Sequence, residues 1–274
     1  MIDVAVAYRI YPGAKSPAFF PNEKFRLSEV CLRSFKRSLG NLRIKIWAIL
    51  DGCPPEYEKL FRDVLTDENL EILQLDKIGN RGTFSLQVDL LTRQTEAEYV
   101  YFAEDDYFYF PDALERMVLF MRANPDVDFV TPYDHPDSYD TSSRHERHLV
   151  RPFGDRYWRT ASSTCLTFLT SRKNLLRNES LFRSYATGNM DCPIWLALTQ
   201  KLGLGDPRVH CHNLFRMKIW GKTWLWGFRN ILFSRAYRLW TPMPTLATHM
   251  EAGCLAPLVD WETVISRADH ELSE

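Results

Sequence analysis

The sequence has no excess of charge of either sign, no cysteine pair at metal-ligand spacing and no long uninterrupted apolar run. Each absence excludes something. The 34 Lys and Arg residues stand against 35 Asp and Glu, a formal net charge of −1. That removes the bulk electrostatic case for nucleic-acid binding. The six cysteines (Cys31, Cys53, Cys165, Cys192, Cys211 and Cys254) are scattered and include no Cys-x-x-Cys pair. Such scatter suits thiols in a reducing compartment better than a disulfide framework. No stretch reaches the roughly 18 apolar residues that a bilayer-spanning helix needs. The opening MIDVAVAYRIYP lacks the basic, apolar and small-residue succession of a signal peptide. The cytoplasm is therefore the expected address. Internal repeats, low-complexity tracts and linkers are also missing, so one continuous domain over 1–274 is expected.

What is present is a regular alternation of patterns. DVAVAYRI (3–10) reads as a buried first strand. A helix over 23–39 follows, with Asn22 as candidate N-cap and Leu27, Val30, Cys31, Phe35 and Leu39 at helical spacing. RIKIWAIL (43–50) is a second strand, closed by the turn DGCPP. Pro55 opens a helix whose stripe is Tyr57, Leu60, Phe61, Val64 and Leu65. LEILQL (70–75) is a third strand, and KIGNRG leads to a helix near 83–95. YVYFAEDDYFYF (99–110) is the fourth strand, Pro111 begins another helix, and VDFVTP (127–132) is a short fifth strand. Strands alternating with helices of this length predict an α/β fold with a mostly parallel sheet covered on both faces. In such sheets ligands bind beyond the carboxyl ends of the strands. Arg9, Asp51, Asn80, Arg81 and the triplet Glu104-Asp105-Asp106 all fall there.

The triplet poses a physical problem. Three carboxylates in an aromatic run are costly unless cations neutralise them. Helix caps, salt bridges or a divalent cation would each serve. On an extended segment Glu104 and Asp106 point to one side and Asp105 to the other. Glu104 and Asp106 are thus the natural pair facing a ligand crevice.

With these elements in this order, the chain resembles a nucleotide-sugar-dependent glycosyltransferase of the GT-A fold, closest in style to the family 2 enzymes. The resemblance is strongest over 2–132, the expected nucleotide-sugar half, and looser over 133–274, the expected acceptor half. It implies that EDD stands for the family's DxD motif, with Glu104 replacing the first Asp. Arg9, or Tyr8 beside it, would then line the base pocket, and Asp51 would contact the base. Asn80 and Arg81 would approach the ribose and diphosphate, and Asp105 would remain for donor contacts. Glu104 and Asp106 would hold Mn²⁺ or Mg²⁺ against the donor's phosphates. Asp51 before Gly52 is equally good turn chemistry, and Arg81 equally suits a surface salt bridge.

The second half is less regular. Residues 133–160 are polar and suggest an excursion or hairpin with Tyr157 and Trp158 on an acceptor-side surface; SSTCLTFLT (162–170) returns as a strand. GNMDCPIWLALTQKLG (188–203) reads as a helix start, with Asn189 or Asp191 as cap and Pro193 in the first turn. The resemblance implies a general base at this place, and Asp191 is the acid that occupies it. Where the family usually has an acidic pair, this chain has Asn189-Met190-Asp191.

Among seven histidines (His135, His145, His148, His210, His212, His249 and His270), HERH (145–148) lacks the HExxH spacing. HCH (210–212) lacks a second half for a closed zinc site. The resemblance implies His249 as a third metal contact. Residues 214–240 hold six Lys and Arg, no acid, and four of the eight tryptophans. Three readings stand there: a peripheral membrane contact, a loop closing over the donor, or core packing with a basic outer face. The expected partners are thus a nucleotide-sugar donor, UDP first by commonness, and a glycan or lipid-linked acceptor. A sugar-phosphate nucleotidyltransferase and a non-catalytic glycan-binding domain share the layout. The former usually has a Gly-rich basic loop after the first strand, which AYRIYPG does not show.

Overall fold

The computed structural model describes residues 1–13, 16–65, 69–139, 147–201 and 214–271. HCH (210–212), His145 and Cys211 lie outside the described residues. In chain order the elements are β1 (Val4–Ile10), α1 (Lys24–Ser38), β2 (Ile44–Asp51), α2 (Pro55–Val64), β3 (Leu70–Leu75), α3 (Gly79–Arg93), β4 (Tyr99–Glu104), β5 (Tyr107–Tyr109), α4 (Ala113–Ala123) and β6 (Phe129–Val130). There follow β7 (Val150–Phe153), β8 (Arg156–Ala161), β9 (Phe168–Ser171), α5 (Arg172–Arg177), α6 (Glu179–Arg183), α7 (Asp191–Thr199), α8 (Leu214–Phe233), β10 (Leu239–Met243), β11 (Ala247–His249) and α9 (Trp261–Glu271).

A central sheet of nine strands has the order β3-β2-β1-β4-β9-β6-β10-β8-β7. The first four strands pair in parallel. Beyond them β9 runs antiparallel to β4 and β6, and β8 runs antiparallel to β10 and β7. Only β9 and β8 therefore oppose the common direction, and the expected mostly parallel α/β sheet is present. Strand periodicity divides the core. Val4, Val6 and Tyr8, Ile46, Ala48 and Leu50, and Tyr101 and Ala103 pack on one face, under α1 and α2. Ala5, Ala7, Trp47, Ile49, Val100 and Phe102 pack on the other, under α3 and α7. This two-residue alternation is why strands buried on both faces still sort their side chains. Gln87 of α3 ties the central strands, donating to the carbonyls of Ala7 (2.7 Å) and Ala103 (3.1 Å).

The expected fourth strand corresponds to two. The chain leaves the main sheet after Glu104, turns at Asp105-Asp106, and re-enters extended structure as β5. There it pairs antiparallel with β11 in a separate two-stranded sheet. Aromatic residues fill both strands, so composition gives no mark of the break. The polar excursion contains the β7–β8 hairpin, and the basic Trp-rich stretch is a 20-residue helix, α8, followed by β10.

Candidate active site

The carboxyl ends of β1, β2 and β4 open into a cleft of about 790 Å³. Alternation selects the side chains that enter it. Arg9 continues the face of Ala5 and Ala7, Asp51 that of Trp47 and Ile49, and Glu104 that of Val100 and Phe102. Tyr8 points the other way and is fully buried between Phe35 and Phe61, so the structure places Arg9 rather than Tyr8 in the cleft.

Each acid of the triplet has its own cation. The parallel register sets Arg9 beside Glu104, and the guanidinium donates to Glu104 Oε1. Glu104 Oε2 accepts from Thr167 Oγ1 at 2.8 Å. Arg9 also donates to the Asn80 carbonyl at 2.9 Å and to the Asn80 side chain, which joins β1 to the start of α3. Asp105 pairs with Lys24 Nζ at 2.5 Å and accepts from Ser28 Oγ at 3.2 Å. Burial pushes the Asp105 carboxyl up, against the pull of Lys24. Asp106 Oδ2 lies 3.1 Å from His249 Nε2. Burial opposes ionisation of Asp106, but His249, Lys24 and Arg9 outweigh it and bring its pKa down to about 2. Burial likewise opposes a charge on His249, and Asp106, Glu104 and Glu251 outweigh it, raising the imidazole to about 9.

The extended-segment geometry therefore does not apply to the triplet. Glu104 ends a strand, while Asp105 and Asp106 form the turn. Both Glu104 oxygens face protein donors, whereas Asp106 Oδ1 is buried without a hydrogen-bond partner. His249 is held beside Asp106 by strand pairing with Tyr107, on whose ring it stacks at 5.0 Å.

Asp51 is buried and caps α3 from outside the helix. Its two oxygens accept the backbone N–H groups of Ile78 and Gly79, each at 2.7 Å. Gly79 adopts φ +77°, which lets the chain turn both groups toward one carboxylate. Asn80 lines the cleft and donates to Tyr185 Oη at 3.1 Å, while Arg81 is exposed outside the cleft lining. Asp191 also lines the cleft. It is the first residue of α7, one past the N-cap position held by Met190. Its Oδ1 accepts the Cys192 N–H at 2.8 Å. Burial pushes its carboxyl above the usual range, and the charge of Glu104 adds to that.

The sequence reading overlooked Lys24, Thr167 and Tyr185. Lys24 carried a faint signal, because a cation in the first turn of a helix opposes the helix dipole unless an acid meets it. Thr167 and Tyr185 carried none.

As a cation site, the Asp106–His249 corner has suitable chemistry. Asp106 offers a buried oxygen with unused lone pairs, and Glu251 Oε2 lies 3.9 Å from His249 Nε2. His249, Glu251 and Cys254 gather ligand atoms within 4.8 Å of one another. Glu104 is the less available carboxylate while it holds Arg9. Three helices, α1, α3 and α7, begin at the cleft with Lys24, Gly79 and Asp191. Asp51 already meets the start of α3, and Asp191 the start of α7.

No curated protein matches this chain. Among solved structures, TarS residues 1–349 from S. aureus in complex with UDP-GlcNAc is similar at 14% identity and TM-score 0.43, covering 68% of this chain and 53% of that one. The mannosyltransferase PcManGT from Pyrobaculum calidifontis in complex with GDP-Man and Mn²⁺ is similar at 15% identity and TM-score 0.35, covering 47% and 34%. This chain thus spans about half of the TarS fragment it matches. The family model Glycosyl transferase family 2 matches residues 22–185, from the turn before α1 through β4, the acidic triplet and Tyr185; the chain belongs to that family.

Proposed function

We propose that this glycosyltransferase moves a sugar from a nucleoside-diphosphate sugar, UDP-linked in the first instance, to an acceptor hydroxyl with inversion. The observation that carries the reading is the buried, unpartnered Asp106 Oδ1 beside His249 in a cleft where three helices start. Asp106 and His249, with Glu251 close by, are the residues that would hold Mn²⁺ or Mg²⁺. When bound, the cation supplies charge neutralisation for the leaving diphosphate.

The chain's own groups divide the remaining work. Arg9 at the end of β1 and Lys24 at the start of α1 supply positive charge beside the phosphates, and Asp51 fixes the start of α3. Arg9 also orients Glu104 and Asn80, so the ribose-side surface is built before the donor arrives. Asp191 is our candidate base, taking the proton of the acceptor hydroxyl within the cleft. Burial raises its pKa, which makes the carboxylate a stronger base and suits that task.

The test is a thermal-shift panel of UDP, GDP, CMP and TDP with and without Mn²⁺. At about 100 times its Kd, a matching ligand stabilises by roughly 2.7 kcal/mol. We expect one diphosphate to raise the Tm only when Mn²⁺ is present, and Asp106→Ala to abolish that rise. If none of the nucleotides shifts the Tm with Mn²⁺ present, the donor reading is wrong.

A further inference from the structure

α8 is apolar on two opposite sides, and among the described residues only one is buried. Thr223 and Gly227 are its buried residues and face α7. The contact at Gly227 is close enough that a Cβ would come within 2.3 Å of Ala197 Cβ, so the orientation of the helix is fixed. On the reverse side stand Leu214, Met217, Leu225, Phe228 and Leu232, at exposures of 84, 48, 67, 47 and 59%. At about 100° per residue these five fall within an arc of about 80°. Trp220 borders the stripe, half exposed, with its ring 6.1 Å from that of Trp224. Lys218 and Arg229 are exposed along the other border. A contiguous apolar stripe on a helix surface marks an interaction site.

We propose that this face docks on an anionic lipid surface, with α8 lying in the plane of the interface. Charge complementarity selects this occupant. α8 carries Arg216, Lys218, Lys222 and Arg229 and no acid, although the whole chain has a net charge of −1. Two copies packed through the same face would bring Lys218 and Arg229 against their own kind, with no acid on the helix to neutralise them. An apolar strip edged by cations and Trp fits lipid tails below and anionic headgroups beside it. No described helix is long and apolar enough to cross a membrane, so the contact is peripheral. The surface also adjoins the cleft. Lys222 donates to the Gly188 carbonyl, which ties α8 to the segment that leads into Asp191. Docking therefore holds the Asp191 side of the cleft close to the bilayer.

The test is co-sedimentation of the full chain with vesicles of phosphatidylcholine plus phosphatidylglycerol, compared with phosphatidylcholine alone, at low and high salt. The protein should pellet with the anionic vesicles, and salt should weaken this. Lys218→Ala combined with Arg229→Ala should weaken binding roughly 25-fold, about fivefold per charge at the surface. Leu225→Glu combined with Leu232→Glu should reduce it to background, with Tm and any nucleotide-induced shift unchanged. Wild-type protein that stays in the supernatant, or binding unaltered in both double variants, would overturn the proposal. Self-association that Leu225→Glu with Leu232→Glu dissolves, without vesicle binding, would identify a second copy as the occupant instead. Vesicle binding is read without activity, so its failure leaves the transferase reading standing.

Discussion

The two halves of the molecule handle charge differently. In β1 to β4, charged groups lie at strand ends and meet across neighbouring strands or the adjoining helix start, as Arg9 does with Glu104 and Asp51 with the α3 backbone. Beside β6, two acids instead gather arginines from β7 and from the segment between α8 and β10. Asp126 is held by Arg151 and Arg238, and Asp128 by Arg235. The first half thus supplies most of the charged lining of the cleft, while the second brings Asp191, His249 and Glu251 to it. A donor platform and an acceptor-side attachment should then be separable by substitution.

The largest expected effect tests that separation. Asp191→Ala should lower transfer about 10²–10⁴-fold and spare the nucleotide-induced rise in Tm. The rate of the wild type should fall on the acid side at a pH above the ordinary carboxylate range, because burial raises Asp191. Should Asp191→Ala also lose nucleotide binding, the division between halves would collapse, and unchanged transfer would remove Asp191 as base.

Next in size is Lys24→Ala. It leaves Asp105 buried without its cation, a loss of about 3–5 kcal/mol in urea unfolding, in which Ser28 offers only one hydrogen bond. Lys24→Met, of similar length, should destabilise in the same direction, since charge rather than bulk is missing. A change within about 0.5 kcal/mol for both would show that Asp105 does not need a protein cation.

Asp51→Ala should cost about 1–3 kcal/mol of stability by stranding two backbone N–H groups at the α3 start. If stability is unaffected but one nucleotide base is no longer preferred over another, Asp51 serves the base and not the helix.

The smallest effect belongs to the second half. The side-chain hydrogen bond from Arg151, against a smaller burial penalty and helped by Arg238, holds Asp126 at about 2, below its ordinary 3.8. That stabilisation is complete above about pH 4 and lost as pH falls through about 2. The pair is partly exposed, so less than about 1 kcal/mol is involved. Urea unfolding from pH 5 to pH 2 should therefore be slightly less pH-dependent in Asp126→Asn. An identical dependence would mean that Arg151 and Arg238 do not stabilise the ionised carboxylate.

Much of the first half was legible because local patterns and tertiary roles agree there. The stripe of Leu27, Val30, Cys31 and Phe35 became the buried face of α1, and the strand-end positions of Arg9, Asp51, Asn80 and Glu104 converged on the cleft. The alternation argument failed at Asp105 because it assumed a strand continuing through the triplet. Nothing local marks the turn, since Tyr107-Phe108-Tyr109 is as strand-like as Tyr101-Phe102. The small strands β10 and β11 were hard to see for a related reason. Five and three residues carry little periodicity, and their pairing partners lie far away in the chain.

The sequence by itself determined the alternating α/β frame, the place of the cleft and the need for cations around Glu104, Asp105 and Asp106. These follow from periodicity and from the cost of buried charge, both local properties. Only the tertiary structure decided which cation meets which acid. Parallel register gave Arg9 to Glu104, the start of α1 gave Lys24 to Asp105, and the β5–β11 pairing gave His249 to Asp106. It also decided which side of α8 stays uncovered, because the close contact between Gly227 and Ala197 sets the rotation of that helix. Contacts between residues widely separated in the chain depend on how whole elements pack, and no short window of sequence contains them.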